Sequence, residues 1–419
     1  MVSRAGPIPA RSLIKKKFDL GEIFSSSELK KAFSKLRKKR RFKTSAANVA
    51  RNRYVLKKES NALGRFVSKH NSDPTESIET YVLSPYHGIK AVKKNGKFRP
   101  LLVPIPQDRQ VFIAALPRVK KLLEGRLLKY NALGVGVDYD DPKTIKAICR
   151  EILKALQEGG KKSILALDFK DFFSSINRKK LDRQLRPIFK KANEEKLYSL
   201  VRASVNNELS SGNDFEKEFG YLELDKKGIP QGLAYSPLLA SFFGIKIDRV
   251  VAKHKSVVFY RYLDDMIVLA DSEKLLISIY QELKAVSEQL GLTLHPIGGK
   301  TQLMTLSKNT GSFVFLGVVI APGHTHGLLI PEDAITKFKN VIAKEIFTHN
   351  AAVNVPPKQV KKVFDGYVNG WVRHYRTICP GHYAEMQPVL NTYIAEHLAN
   401  RKRWWRTLLE EDPDYFQLP

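Results

Sequence analysis

Two apolar runs flank a pair of adjacent carboxylates in Val257–Ala270, VVFYRYLDDMIVLA. Val257-Val258-Phe259-Tyr260 and Met266-Ile267-Val268-Leu269-Ala270 are rich in β-branched and aromatic side chains, as strands prefer. The short polar middle predicts a hairpin turn carrying Asp264 and Asp265. Two anions side by side at a turn between buried strands repel each other, so something must neutralise them. A hard divalent cation fits, because Mg²⁺ takes carboxylate oxygens and keeps room for phosphates. Taken alone, such a hairpin is more often a solvated turn than a metal site, as Asp140-Asp141 beside Pro142 is read here. The rest of the chain decides.

The chain has 419 residues, enough for two or three domains, and 43% of them are hydrophobic, enough for a sizeable core. Its 71 Lys and Arg outweigh 42 Asp and Glu, for a net charge of +29. That excess points to a polyanionic partner, most simply nucleic acid, although a ribosome-like or merely soluble basic protein has the same balance. Cys149 and Cys379 are the sole cysteines and lie far apart in sequence, which argues against a disulfide framework or a zinc site and fits a reducing cytosol. No apolar run reaches the roughly 18 residues of a membrane span. Pro7 and Pro9 break the helix a transit peptide needs, so residues 1–17 are expected to be a flexible basic arm.

Residues 1–60 hold 18 Lys and Arg against 4 acidic residues. Ser25-Ser26-Ser27-Glu28 can cap a helix whose apolar positions are Leu29, Ala32, Phe33 and Leu36. Arg37, Lys38, Arg40 and Arg41, then Arg51 and Arg53 around Tyr54, mix cations with an aromatic as a phosphate backbone and a stacked base require. In HGIKAVKKNGKFRPLLV, Asn95-Gly96 predicts a hairpin that gathers Lys90, Lys93, Lys94, Lys97 and Arg99. A helix is expected from about Gln107 to Tyr130, and an amphipathic one over Thr144–Leu156. Ser163–Asp168, SILALD, is a buried strand that ends in a carboxylate, and an unpaired buried charge is costly. Gly228-Ile229-Pro230-Gln231-Gly232 leads into LAYSPLLASFFGIKID, expected to be one apolar helix. Glu273–Leu290 is a helix closed by Gly291. Lys300 follows in a glycine-containing turn, and Phe313–Ile320 is expected to be a final buried strand. After Pro331 the chain reads as helical, with a clean stripe over Lys358–Arg376 and more helix over about Tyr383–Leu409. Trp404-Trp405 among Arg401, Lys402, Arg403 and Arg406 suit base stacking or core packing equally.

This order of basic hairpin, strand-Asp, Gly-Pro-Gln-Gly helix, Asp-Asp hairpin, lysine turn and Phe-Leu-Gly strand resembles the reverse transcriptases. The likeness is to the bacterial lineage related to group II intron enzymes, from about residue 88 to 320 and more loosely to about 380. The residues that carry it are Tyr262-Leu263-Asp264-Asp265, Asp168 in LALDFKDFF, GIPQGLAYSP, Phe315-Leu316-Gly317, Lys300 in GLTLHPIGGKTQLM and Arg99 in KFRPLLV. The resemblance implies an α+β, right-hand polymerase with fingers, a palm of antiparallel sheet plus helices, and an α-helical thumb. Residues 1–60 would be a basic RNA-binding extension, 61–160 fingers, 161–322 palm, and 323–419 thumb and tail.

It further implies RNA-directed DNA synthesis. Asp168, Asp264 and Asp265, with the backbone carbonyl of Phe169, would hold two Mg²⁺ about 3.5–4 Å apart, Mn²⁺ being a substitute. One ion would sharpen the primer 3′-hydroxyl and the other would clamp the triphosphate, while Lys300 protonates the pyrophosphate. Arg99 and Lys93 would bind the dNTP phosphates, Gln231 would lie beside the incoming sugar, and Phe173 would be the gate against a ribose 2′-hydroxyl. Tyr262, Gly317 and Arg373 would join the basic arm in binding nucleic acid. Leu263 and Leu233 depart from the alanine and glycine usual in group II enzymes, and no room is expected for an endonuclease domain. NALGV lacks the retron His, and no Val-Thr-Gly occurs. The expectation is therefore a stand-alone bacterial, cytoplasmic enzyme resembling those of antiphage defence, with a structured noncoding RNA, a DNA or RNA primer and dNTPs as partners. An intron-like or retron-type enzyme, an RNA-templated RNA polymerase and a non-catalytic maturase remain the alternatives.

Overall fold

The computed structural model describes residues 17–18, 20–21, 23–40, 81–92, 98–129, 132–133, 142–158, 160, 162–209, 227–306, 311–348, 357–399 and 416–418. Arg41, Arg51, Arg53, Lys93 and Trp404-Trp405 lie outside the described residues. So do the side chains of Arg37, Lys38, Arg40 and Arg99.

The N-terminal segment is built into the body. Strand β1 (Lys17–Phe18) pairs antiparallel with β2 (Tyr81–Val82). Helix α1 (Ser26–Arg40) starts in a reciprocal capping box, where Glu28 N–H donates to Ser25 Oγ at 3.3 Å and Ser25 N–H donates to Glu28 Oε2 at 2.8 Å. Phe18, Leu20, Ile23, Phe24, Leu29 and Ala32 are buried in the main core. These apolar residues join the basic segment to the main core.

A basic hairpin follows, β3 (His87–Val92) with β4 (Phe98–Val103), paired from His87↔Val103 to Val92↔Phe98. Helix α2 (Pro106–Leu128) takes Pro106 in its first turn, where no N–H is needed. Then come β5 (Ala132–Leu133), α3 (Pro142–Gln157), β6 (Ser163–Leu167), β7 (Phe169–Lys170), the short α4 (Phe172–Ser175), α5 (Arg178–Lys191) and α6 (Glu195–Val205). Asn177 caps α5, its side chain accepting from Lys180 N–H at 3.0 Å.

The apolar stretch after Pro230 is not one helix. Residues 231–235 form turns, α7 (Ser236–Phe243) follows, and α8 (Ile245–Val251) begins after a break at Gly244. The expected hairpin is β8 (Val258–Tyr262) and β9 (Asp265–Ala270), paired from Val258↔Leu269 to Tyr262↔Asp265. Helix α9 (Glu273–Leu290), capped by Ser272 and closed by left-handed Gly291, leads to β10 (Thr293–Leu294) and β11 (Gln302–Thr305). Strands β5, β6, β8, β9 and β11 make a five-stranded sheet in the order β11-β6-β9-β8-β5, with only β5 and β8 parallel.

Both faces of this sheet are covered, which is why its strands read as continuous apolar runs. Leu165, Leu167, Phe259, Met266, Val268 and Ala270 face a core shared with α5, α6, α7 and α9. The alternate residues Ile164, Tyr260, Ile267 and Leu269 face a second core. That second core includes α3 and the C-terminal helices α10 (Glu332–Asn340), α11 (Pro357–Ile378) and α12 (Pro380–Ala399), with a π-helical stretch over Val341–Thr348. Cys149 and Cys379 are buried there as free thiols, each pushed up to about 12 chiefly by burial.

The expected single strand Phe313–Ile320 is instead a hairpin, β12 (Phe313–Phe315) and β13 (Val318–Ile320), extended by β14 (Leu328–Leu329). Leu316 and Gly317 form its turn at φ 51° and 71°, the left-handed pair that two-residue hairpins need. Among the described residues, no helix is long and apolar enough to cross a membrane.

Candidate active site

Register gathers the acidic residues. Leu167 pairs with Met266, so Asp168, one step past the end of β6, stands across from Asp265 at the start of β9. Asp264 sits in the turn between β8 and β9, next to Leu263, whose φ of 55° is left-handed. Crowding acts on the carboxyls. The Asp265 carboxyl is pushed up to about 6, first by loss of solvent, then by the charges of Asp264 and Asp168, against an opposing pull from Lys300. The side chain still reaches bulk water, and the two neighbouring charges are what a cation would relieve. Tyr262 is held well above the usual phenol range by burial and then by Asp265 and Asp264, so it stays neutral.

Lys300 is the counter-ion. Its Nζ lies 2.8 Å from Asp168 Oδ2, and the hydrogen bond to Asp168 is the main reason its ammonium is held above its ordinary value. The charges of Asp168, Asp171 and Asp264 add to this. The strand end around Asp168 is fixed from several sides. Its N–H faces Thr301 Oγ1 at 3.5 Å, its carbonyl accepts from His295 N–H at 3.0 Å, and His295 Nε2 lies 3.8 Å from its carboxylate. That His295 bond makes Leu294↔Phe169 a non-hydrogen-bonded pair, which turns the Phe169 carbonyl away from β10.

Gln231 and Phe173, expected on the nucleotide side, are each anchored by a backbone bond. Gln231 C=O accepts from Leu102 N–H at 3.0 Å, and Phe173 C=O accepts from Ile229 N–H at 3.0 Å. The Pro-Gln-Gly loop thus ties the strand of Arg99 to the turn of helix that carries Phe173. Gly232 is required there, since a Cβ would stand 2.0 Å from the Leu102 carbonyl oxygen. Phe173 is half-buried, edge-on to buried Phe172 at 6.0 Å. Arg373 is exposed on α11, and Gly317 is at the tip of the β12–β13 hairpin; neither belongs to the carboxylate cluster.

His295, Thr301 and Arg261 carry no signal in the sequence. His295 and Thr301 act on Asp168, distant along the chain, and Arg261 sits unannounced inside an apolar strand.

Three carboxylates facing one ammonium form a donor set of hard oxygens with unbalanced negative charge, which fits a divalent cation. Among the described residues, no three ligating side chains converge closely enough to hold a metal ion in the present arrangement. Lys300 sits on the Asp168 oxygen a cation would use.

A family model described as reverse transcriptase (RNA-dependent DNA polymerase) matches residues 91–320, more than half of the chain. Among solved structures, telomerase from Candida albicans in complex with a TWJ fragment of telomeric RNA is similar at 12% identity and a TM-score of 0.48, over 78% of this chain and 66% of that one. Apo telomerase from Candida tropicalis is similar at 15% identity and a TM-score of 0.45, over 80% of this chain and 62% of that one. The chain thus spans just under two thirds of the length of these structures. No curated protein sequence matches it.

Proposed function

The chain belongs to the reverse transcriptase (RNA-dependent DNA polymerase) family, and from that membership we propose that it extends a primer along an RNA template with dNTPs. The observation that carries this reading is the placing of Asp168 across from Asp265, beside Asp264, with Lys300 on the Asp168 carboxylate. Asp168, Asp264, Asp265 and the Phe169 carbonyl would hold Mg²⁺ or Mn²⁺, which when bound supplies positive charge for the attacking 3′-oxygen and the departing pyrophosphate. Lys300 holds a proton at Nζ for the pyrophosphate oxygen. Arg99 and Lys93 bind the triphosphate, and Gln231 lies against the incoming sugar. The ring of Phe173 excludes a 2′-hydroxyl by sterics. Tyr262, Gly317, Arg373 and the basic face of α1 contact the nucleic acid.

The finer reading is a stand-alone, cytoplasmic bacterial enzyme of antiphage defence that copies a structured noncoding RNA. It is supported by the +14 net charge of residues 1–60 and by the intact Pro-Gln-Gly box. The test is primer extension on an RNA template with dNTPs or NTPs, followed by sequencing of the nucleic acid that co-purifies. DNA synthesis at least 100-fold favoured over RNA synthesis is the expected result. Synthesis from NTPs alone would make it an RNA polymerase, and binding without synthesis a maturase-like protein.

A further inference from the structure

The acidic turn is held by a buried charge. Arg261, two residues before Leu263, is fully buried in β8. Its Nε and Nη2 donate to Asp248 Oδ1 and Oδ2 at 2.5 and 2.6 Å, and Nη2 also donates to the Ser241 carbonyl at 2.8 Å. Its Nη1 donates to the Leu263 carbonyl at 3.1 Å. One planar group therefore ties the C-terminal half of α7, the middle of α8 and the turn that presents Asp264 and Asp265.

The ion pair with Asp248 explains how the charge survives burial. It does not explain two other features. Leu263 is left-handed at φ 55°, a conformation that side chains with a Cβ avoid and that persists where the surroundings over-determine it. Gly244, at the α7–α8 break, leaves a slot for the guanidinium, because a Cβ there would stand 3.1 Å from Arg261 Cζ and Nη1. The helix break, the glycine and the fork all serve to aim Nη1 at the Leu263 carbonyl. A lysine would satisfy Asp248 as a point charge, but it has no fixed fork to span three acceptors.

We infer that Arg261, seated by Asp248 and Gly244, is a positioning residue that fixes the Leu263 turn and so the placement of Asp264 and Asp265. The inference rests on the polymerase reading, because it assigns those carboxylates a catalytic task.

The test compares wild type with Arg261→Lys, with Gly244→Ala, which crowds the guanidinium without removing charge, and with the apolar replacement Arg261→Met/Asp248→Leu. The last keeps the core filled, since a buried ion pair replaced by apolar groups of similar size is commonly tolerated. Each variant is measured for cooperative unfolding, primer–template affinity, kcat and KM for dNTP, and amide exchange of residues 263–265. The expected result is a folded protein with unchanged primer–template affinity and KM, kcat lower by about 10- to 100-fold as misplacement of reacting groups predicts, and faster exchange in the turn. Wild-type kcat and unchanged exchange in Arg261→Lys or in the apolar pair would overturn it and leave Arg261 as a fold-stabilising ion. If wild type makes no DNA on an RNA template, the polymerase reading fails. Turn exchange then still decides the strut, faster in the variants if it holds and unchanged if it does not.

Discussion

Lys300 Nζ lies 2.8 Å from Asp168 Oδ2. In the mechanism proposed above the ammonium takes two parts, a stand-in for positive charge on the first carboxylate and a proton donor for the leaving group. These parts have opposite signatures. Lys300→Met should lower kcat by about 10²- to 10⁴-fold, the usual worth of a positioned general acid. It should not weaken divalent-cation affinity, because removing the ammonium frees a carboxylate oxygen. Single-nucleotide incorporation alongside a Mn²⁺ titration reads both. A variant with normal kcat and weakened cation affinity would contradict this assignment.

Asp264→Ala with Asp265→Ala should abolish synthesis and leave the fold intact. Asp265 is exposed, Asp264 is only half-buried, and both lie at a turn rather than in either core. Removing mutually repelling charges should leave the melting temperature unchanged or slightly higher. Near wild-type incorporation by the double variant would sink the active-site assignment.

The parts legible in the sequence are those set by local pattern. The β8–β9 hairpin, α9 with its Gly291 stop, and the Ser25–Glu28 capping box all follow from residues within a few positions of each other. The misread parts depend on backbone conformations that side chains disguise. Leu316 shares a left-handed turn with Gly317, so FVFLGVVI looks like one strand yet folds as two. Gly244, at the break, stands against the guanidinium of Arg261, a residue on another element, and LAYSPLLASFFGIKID alone gives no hint of that contact. The basic character of residues 1–60 conceals a thin apolar pattern, Phe18, Leu20, Ile23 and Phe24, that seals the core. Of the site, the residue types were legible, whereas the buttresses His295, Thr301 and Arg261 emerge only from tertiary contacts.

Phe173 should discriminate between sugars. Its ring stands edge-on to Phe172, and its carbonyl is bonded to Ile229, so the side chain is held while one side remains open. Phe173→Ala should lower the ratio of kcat/KM for dNTP over NTP by at least tenfold. It should cost roughly 1–2 kcal/mol of stability, less than a fully buried phenylalanine. An unchanged ratio with the stability loss alone would make Phe173 a packing residue only.

Asp108 gives the stability a pH dependence. It is fully buried at the start of α2, accepts from Tyr81 Oη–H and from Ser84 N–H at 3.1 Å, and is pushed up to about 6, mainly by burial. A carboxyl raised in the folded state binds its proton more tightly there than in the unfolded chain. Its stabilising contribution is therefore complete below about pH 4 and lost as pH rises through about 6. The loss is on the order of 3 kcal/mol. Asp108→Asn cannot titrate, so its stability relative to wild type should improve by that order between pH 4 and 7. Parallel pH profiles from denaturant unfolding would exclude Asp108 as the source.

The basic face of α1 should bind RNA without being needed for chemistry. Lys30, Lys31 and Lys35 are exposed, whereas Leu29 and Ala32 on the same helix are buried. Removing the whole N-terminal segment would also strip buried core residues and so confound binding with stability. Replacing the three lysines by glutamine leaves the core and the Ser25–Glu28 cap untouched. Each phosphate contact releases counterions, and log Kd depends on log salt with a slope of roughly 0.7 to 0.9 per contact. Loss of three contacts should flatten the slope by about 2 to 3 units. Incorporation on a saturating generic primer–template should stay near wild type, because none of the three lysines lies in the carboxylate cluster. Filter binding of RNA from 50 to 300 mM salt, run beside the extension assay, separates the outcomes. An unchanged salt slope would make the α1 face a solvated surface and shift RNA contact toward Lys361 and Arg373 on α11.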